Sequence, residues 1–199
     1  MSAHDQASHE PQGAHGSHAH PHLFGRAQPH PDRTDGGTRV TGTALVVVAS
    51  NRAAAGAYDD ATGPVIADWL TALGWRTTVD VVPDGAPVGE ALRAGIAAGA
   101  GIIVTTGGTG ASPTDRTPEQ TRAVLDFELP GIAEEMRRVG SDTTPTALLS
   151  RGIAGVAGST LVVNLPGSSG GVRDGLAVLG TVLDHLLDQI HGGDHVRAD

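Results

Sequence analysis

The chain has 199 residues, room for one domain with a full core, and 39% of them are hydrophobic against 3% aromatic, so Val, Leu, Ile and Ala must fill that core. With no cysteine it can form no disulfide, thiolate metal site or cysteine nucleophile. Its formal net charge is -9, and all 13 basic residues are scattered arginines, which argues against a nucleic-acid partner.

Residues 1–38 hold seven of the ten histidines and four prolines with almost no aliphatic side chains, a mix that cannot bury enough surface to offset chain entropy. A disordered tail is expected there. His15, His18, His20 and His22 have spacings at which imidazoles can converge on a transition metal, but a solvated tail is the plainer reading. No apolar run approaches the roughly 18 residues of a membrane span, and the N-terminus lacks a basic start with an apolar stretch behind it. A cytoplasmic protein with no membrane partner is expected.

An ordered domain is expected over 39–192, with a flexible C-terminus over 193–199. Thr43 to Ser50 (TALVVVAS) is a valine-rich apolar run that reads as a strand buried on both faces. Gly63-Pro64 opens a helix with Val65, Ile66, Trp69, Leu70 and Leu73 on one face, and Gly74 stops it. Thr77 to Val82 is a second strand, ending at Pro83-Asp84-Gly85. A helix through Val88, Leu92 and Ile96 follows, closed by Gly99. Gly101 to Thr106 is a third buried strand, which runs into the turn Gly107-Gly108-Thr109-Gly110.

Thr117, Pro118 and Gln120 give the pattern of a hydroxyl N-cap, a proline at the first helical position and a capping box. A helix from Gly131 through Val139 and a strand over Thr160 to Asn164 follow. One final helix places Val172, Leu176, Leu179, Leu183, Leu186 and Ile190 along a single stripe. Strands alternating with helices imply an α/β fold, its mostly parallel sheet covered on both sides. Ligands of such sheets gather beyond the carboxyl ends of the strands. The segments there are Ser50-Asn51-Arg52, Pro83 to Gly85, Gly107 to Asp115, and Asn164 to Gly171.

Three glycines in four positions let backbone N–H groups approach an anion closely, and phosphate is the natural occupant. The chain has no lysine, so a Walker loop is excluded, and neither this turn nor Ser50 to Gly56 gives the G-x-G-x-x-G of a nicotinamide-binding fold. A simple tight turn is the alternative. Asp115 precedes a helix start, where a carboxylate can merely favour the positive helix end. Asp84 also follows a strand, however, and two acids beside bound phosphates suit Mg²⁺. Arg116, Arg151 and Arg173 are candidate phosphate clamps.

The runs TTGGTGASPTDRTPE (105–119), PGIAEEMRR (130–138) and NLPGSSGGVRDGL (164–176) resemble the MogA/MoaB family of molybdenum-cofactor biosynthesis, most of all its stand-alone, Mog-type adenylyltransferases. The resemblance implies a three-layer α/β/α sandwich and a homotrimer. It implies transfer of AMP from ATP to molybdopterin with Mg²⁺, releasing pyrophosphate, and a molybdate-inserting enzyme as a downstream partner. Asp84 and Asp115 match the family's essential acids, which would hold the metal, and Glu134 matches the acid of its PG-x-x-E motif. Thr106, Gly107, Gly108, Thr109, Gly110, Ser112, Ser150, Arg151, Asn164, Leu165, Pro166, Gly167 and Ser168 match its ligand-binding loops. Asn51, Thr114 and Ser169 depart from the family pattern of aspartate, arginine and proline. The alternative within the family is a molybdopterin-binding carrier or scaffold without turnover.

Overall fold

The structure, a computed structural model, describes residues 42–57 and 59–193, so the expected N-terminal tail and nearly all of the expected flexible C-terminus lie outside it. Six strands form one sheet in the order β2-β1-β3-β6-β5-β4. They are β1 (Thr43–Ala49), β2 (Arg76–Val82), β3 (Ile102–Thr106), β4 (Phe127–Glu128), β5 (Ala154–Ala157) and β6 (Thr160–Leu165). The pairs β1–β2, β1–β3 and β3–β6 are parallel, as expected. The pairs β4–β5 and β5–β6 are antiparallel.

The helices are α1 (Asn51–Ala54), α2 (Gly63–Ala72), α3 (Ala86–Ala97), α4 (Thr117–Arg122), α5 (Pro130–Thr143), α6 (Ser169–Gly180) and α7 (Leu183–Ile190), with a 3₁₀ turn over Pro145–Leu149. Alternate residues of the central strands divide between two cores, as a period of two requires. On one face Val46, Val48, Ile102, Val104, Leu161 and Val163 meet Ile66 and Leu70 of α2, with α6 and α7 completing the layer. On the other face Leu45, Val47, Ile103 and Val162 meet Val88 and Leu92 of α3. The result is a three-layer α/β/α sandwich. Each fully buried aliphatic side chain contributes about 1.5–3 kcal/mol.

Several elements differ from the sequence reading. The expected single C-terminal helix breaks at Thr181-Val182, because the Thr181 hydroxyl donates to the Val178 carbonyl at 2.7 Å and Val182 N–H bonds Leu179 instead. The buried stripe then passes from Leu183 to Leu187, with Leu186 only partly covered. Strands β4 and β5 are additions to the expected set, both of them short, and β2 is an edge strand with Val79 and Val81 exposed. Leu73 is exposed rather than on the buried face of α2. Helix α4 begins at Thr117 itself, with Arg116 at the N-cap and no side-chain cap, so the expected capping box does not form. No helix of the described residues is long and apolar enough to cross a membrane.

Candidate functional site

Because β2, β1, β3 and β6 are parallel neighbours, the four segments singled out in the sequence leave the same edge of the sheet. They are tied to one another there. Ser50 N–H donates to the Val82 carbonyl at 3.0 Å, and Asp84 N–H to Asn51 Oδ1 at 3.1 Å. Gly107 N–H donates to the Leu165 carbonyl at 3.2 Å, and the Thr106 hydroxyl to the Pro166 carbonyl at 2.8 Å.

The glycine turn depends on its glycines. Gly107 and Gly108 adopt φ values of 89° and 62°, a region that disfavours side chains. A Cβ at Gly108 would overlap Asp84 Oδ2 and Thr117 Oγ1, and one at Gly110 would stand 2.7 Å from Asp115 Oδ2. The two acids therefore lie against the same loop, one over Gly108 and the other over Gly110. The amide of Gly107 is occupied by Leu165, so the anion cradle is narrower than the sequence suggests. Among the described residues, the amides of Gly108, Thr109 and Gly110 have no acceptor.

Asp84 is fixed by backbone and hydroxyl donors. Its Oδ1 accepts from Gly85 N–H at 2.6 Å and from the Thr117 hydroxyl at 3.3 Å, while Arg116 N–H reaches Oδ2 at 3.2 Å. Asp115 Oδ2 accepts from Ser112 N–H at 3.2 Å, and Oδ1 has no donor among the described residues. Ser112 also shares its hydroxyl with Thr114 at 2.9 Å. No group of three or more His, Cys, Asp and Glu gathers among the described residues. A cation held by the two acids would complete its shell with water and phosphate oxygens, as Mg²⁺ prefers.

Arg151 builds the loop rather than standing free beside it. Its Nε donates to the Gly110 carbonyl at 2.7 Å, Nη2 to the Asp115 carbonyl at 2.6 Å, and Nη1 pairs with Glu119 Oε1. That hydrogen bond holds the Glu119 carboxyl below its ordinary pKa, against a smaller desolvation effect in the other direction. Glu119 Oε2 is sealed from solvent and unpartnered. Arg116 and Arg173 are exposed.

Other sequence candidates prove to be internal supports. Asn164 is buried, its Nδ2 donating to the hydroxyls of Thr105 and Thr121 at 2.9 Å each and its Oδ1 accepting from Ile153 N–H at 3.2 Å. The Leu165 side chain is in the core. Ser168 caps α6, with Oγ accepting from Gly171 N–H at 3.2 Å. Glu134 is exposed on α5 and lines neither hollow at this edge. One hollow is an open cleft of about 560 Å³ lined by Thr109, Gly110, Ser150, Pro166, Gly167 and Ser168, among others. The second, about 140 Å³, lies among Ser50, Asp60, Thr106, Gly107, Gly167 and Ser169. The sequence reading missed Glu119, Thr117 and Thr121 as site-building groups. Glu119 lies inside the quoted glycine-rich run, but its partner is 32 positions away and no spacing rule joins them.

A mostly parallel sheet whose carboxyl edge gathers loop amides, two acids and a cleft defines an α/β domain with its candidate site at that edge. The family model described as "Probable molybdopterin binding domain" matches residues 40–185. A molybdenum cofactor biosynthesis bifunctional protein of Synechococcus elongatus is 40% identical over 154 residues, covering 76% of this chain and 48% of its own, so the chain spans about half of that relative. The molybdopterin adenylyltransferase of Haemophilus influenzae is 36% identical over 136 residues, 66% of this chain and 69% of its own. Among solved structures, the molybdopterin biosynthesis Mog protein of Mycobacterium ulcerans superposes with a TM-score of 0.74 at 57% identity, covering 75% of this chain and 99% of that one. The chain belongs to the MogA/MoaB family of molybdenum-cofactor biosynthesis proteins.

Proposed function

We propose that this protein is a molybdopterin adenylyltransferase that transfers AMP from ATP to molybdopterin. The observation that carries the reading is the placement of Asp84 over Gly108 and Asp115 over Gly110, two acids on one loop with unoccupied amides between them. An oxygen of the molybdopterin phosphate attacks the α-phosphorus of ATP. A new P–O bond forms, the bond from the α-phosphorus to the bridging oxygen breaks, and pyrophosphate leaves.

A phosphate monoester is largely ionised near neutral pH, so the nucleophile needs no general base. The task left to the chain is positioning and charge neutralisation. The Gly108, Thr109 and Gly110 amides would bind anionic oxygens, and the cleft beside Ser150 and Ser168 would hold the body of a substrate. Asp84 and Asp115 would hold Mg²⁺, which supplies positive charge that a lysine-free chain lacks in its loop.

The test combines the protein with molybdopterin, ATP and Mg²⁺ and measures pyrophosphate. Pterin-dependent release supports the enzyme, whereas tight pterin binding with no release points to a carrier. The family resemblance also implies a homotrimer, which light scattering in solution would detect.

A further inference from the structure

Three peptide groups of the site have their carbonyls turned to one residue. Thr109 C=O accepts from the Arg151 N–H at 2.8 Å, and the carbonyls of Gly110 and Asp115 accept from its guanidinium at 2.7 and 2.6 Å. No described peptide bond is cis. In a planar trans peptide the C=O of one residue and the N–H of the next point in opposite directions. Holding these three carbonyls therefore turns the N–H groups of Gly110, Ala111 and Arg116 away from Arg151. At the third the result is visible: Arg116 N–H donates to both Asp84 oxygens, at 3.3 and 3.2 Å.

Arg151 is itself held in place. Arg137 of α5, half-buried, donates from Nη1 to the Gly152 carbonyl at 3.0 Å and reaches the Ser150 carbonyl at 3.4 Å. The two carbonyls flank Arg151 on either side. One guanidinium thus holds the strand-entry segment 150–152, and the guanidinium of that segment holds the glycine loop.

We propose that Arg151, seated by Arg137, is a positioning residue that sets the direction of the loop amides of Gly110 and Ala111 and joins Asp115 to Asp84 through a single peptide plane. For catalysis the inference rests on the adenylyltransferase reading. The loop geometry is testable without it.

The test compares Arg137→Gln, Arg137→Lys and Arg151→Lys, with Arg138→Gln as control because Arg138 forms only exposed pairs with Glu135 and Asp142. Hydrogen exchange is read at residues 110, 111 and 116 with and without inorganic pyrophosphate, alongside kcat/KM for ATP. In Arg137→Gln and Arg151→Lys, exchange at the Arg116 amide, the one of the three that is hydrogen-bonded, is expected to rise about tenfold, the factor one charge-assisted hydrogen bond carries, with β3 and β6 within about twofold. At the Gly110 and Ala111 amides, which have no acceptor of their own among the described residues, protection by pyrophosphate weakens in parallel, kcat/KM falls by a similar factor, and Arg137→Lys recovers part of each effect. Wild-type exchange in a folded Arg137→Gln protein, or a rise no larger than that in β3 and β6, overturns the proposal. A wild-type protein that releases no pyrophosphate overturns the adenylyltransferase reading and leaves the exchange result to decide this one.

Discussion

Thr117 gives its hydroxyl to Asp84 across the loop, Oγ1 donating to Oδ1 at 3.3 Å, instead of capping the helix it begins. A buried threonine chosen for capping would be interchangeable with serine or asparagine. One chosen to steady a carboxylate also needs its position beside Gly108. Thr117→Val keeps the volume and removes the donor. Its expected effect is about 1 kcal/mol of stability in urea unfolding and a several-fold drop in pyrophosphate release, while Thr117→Ser stays near wild type. Equal turnover by the valine and serine variants would sink this role.

Asp115→Asn removes charge without volume at an oxygen pair that makes only one internal bond. The folded state should change little. Adenylylation should fall by about two orders of magnitude, the scale of losing one group that stabilises transition-state charge, with pterin binding retained. Near-normal turnover would contradict the assignment of Asp115 as a cation ligand.

Asn164 ties β6 to β3 and α4 from inside the protein. Asn164→Ala leaves two hydroxyls and the Ile153 N–H without their partner in a buried setting, so the expected loss is about 2–4 kcal/mol with an unchanged denaturant slope. A loss below about 0.5 kcal/mol would show that water replaces the amide.

The Glu119–Arg151 pair sets a direction for the acid response. A carboxyl held below its ordinary pKa contributes stability above the unfolded-state value, and that contribution is lost as pH falls through the folded value. Wild type should therefore exceed Glu119→Gln in stability near pH 7 and lose the advantage as acidification carries the pH below the ordinary carboxylate range. Urea midpoints measured across that range check the sign. A gap that widens on acidification would reverse it.

The parallel half of the fold was legible because β1, β3 and β6 each carry a short apolar core, Ala44 to Ala49, Ile102 to Val104 and Leu161 to Val163, that runs into a polar or glycine-rich segment, the pattern of a strand buried on both faces. The antiparallel half was not. Ala154–Ala157 is four small residues, and its one signal was the Gly158-Ser159 pair that joins it to Thr160 as a two-residue hairpin. Missing β5 had a cost at the site. Since β5 runs against its neighbour, the segment entering it, not the one leaving it, lies at the ligand edge; Ser150 could be placed there only through family resemblance, and Arg151 stood apart from it only as one of three candidate phosphate clamps. The acids were legible as residues, but their fit over the loop depends on the positive φ angles of Gly107 and Gly108 and on the missing Cβ of Gly110, which no spacing rule supplies.

The same reversal gives the sheet an idle rim. Gly158 and Ser159 are exposed, turn with φ of 60° at Gly158, and are braced by Gly158 N–H donating to Asp126 at 2.6 Å. They stand at the start of β6, a full strand length from Asn164. A fluorophore or a grafted peptide carried on that turn would ride on the same strand that supports the ligand cleft without entering it, which makes the turn a natural handle for attaching this domain to a surface or a partner of choice.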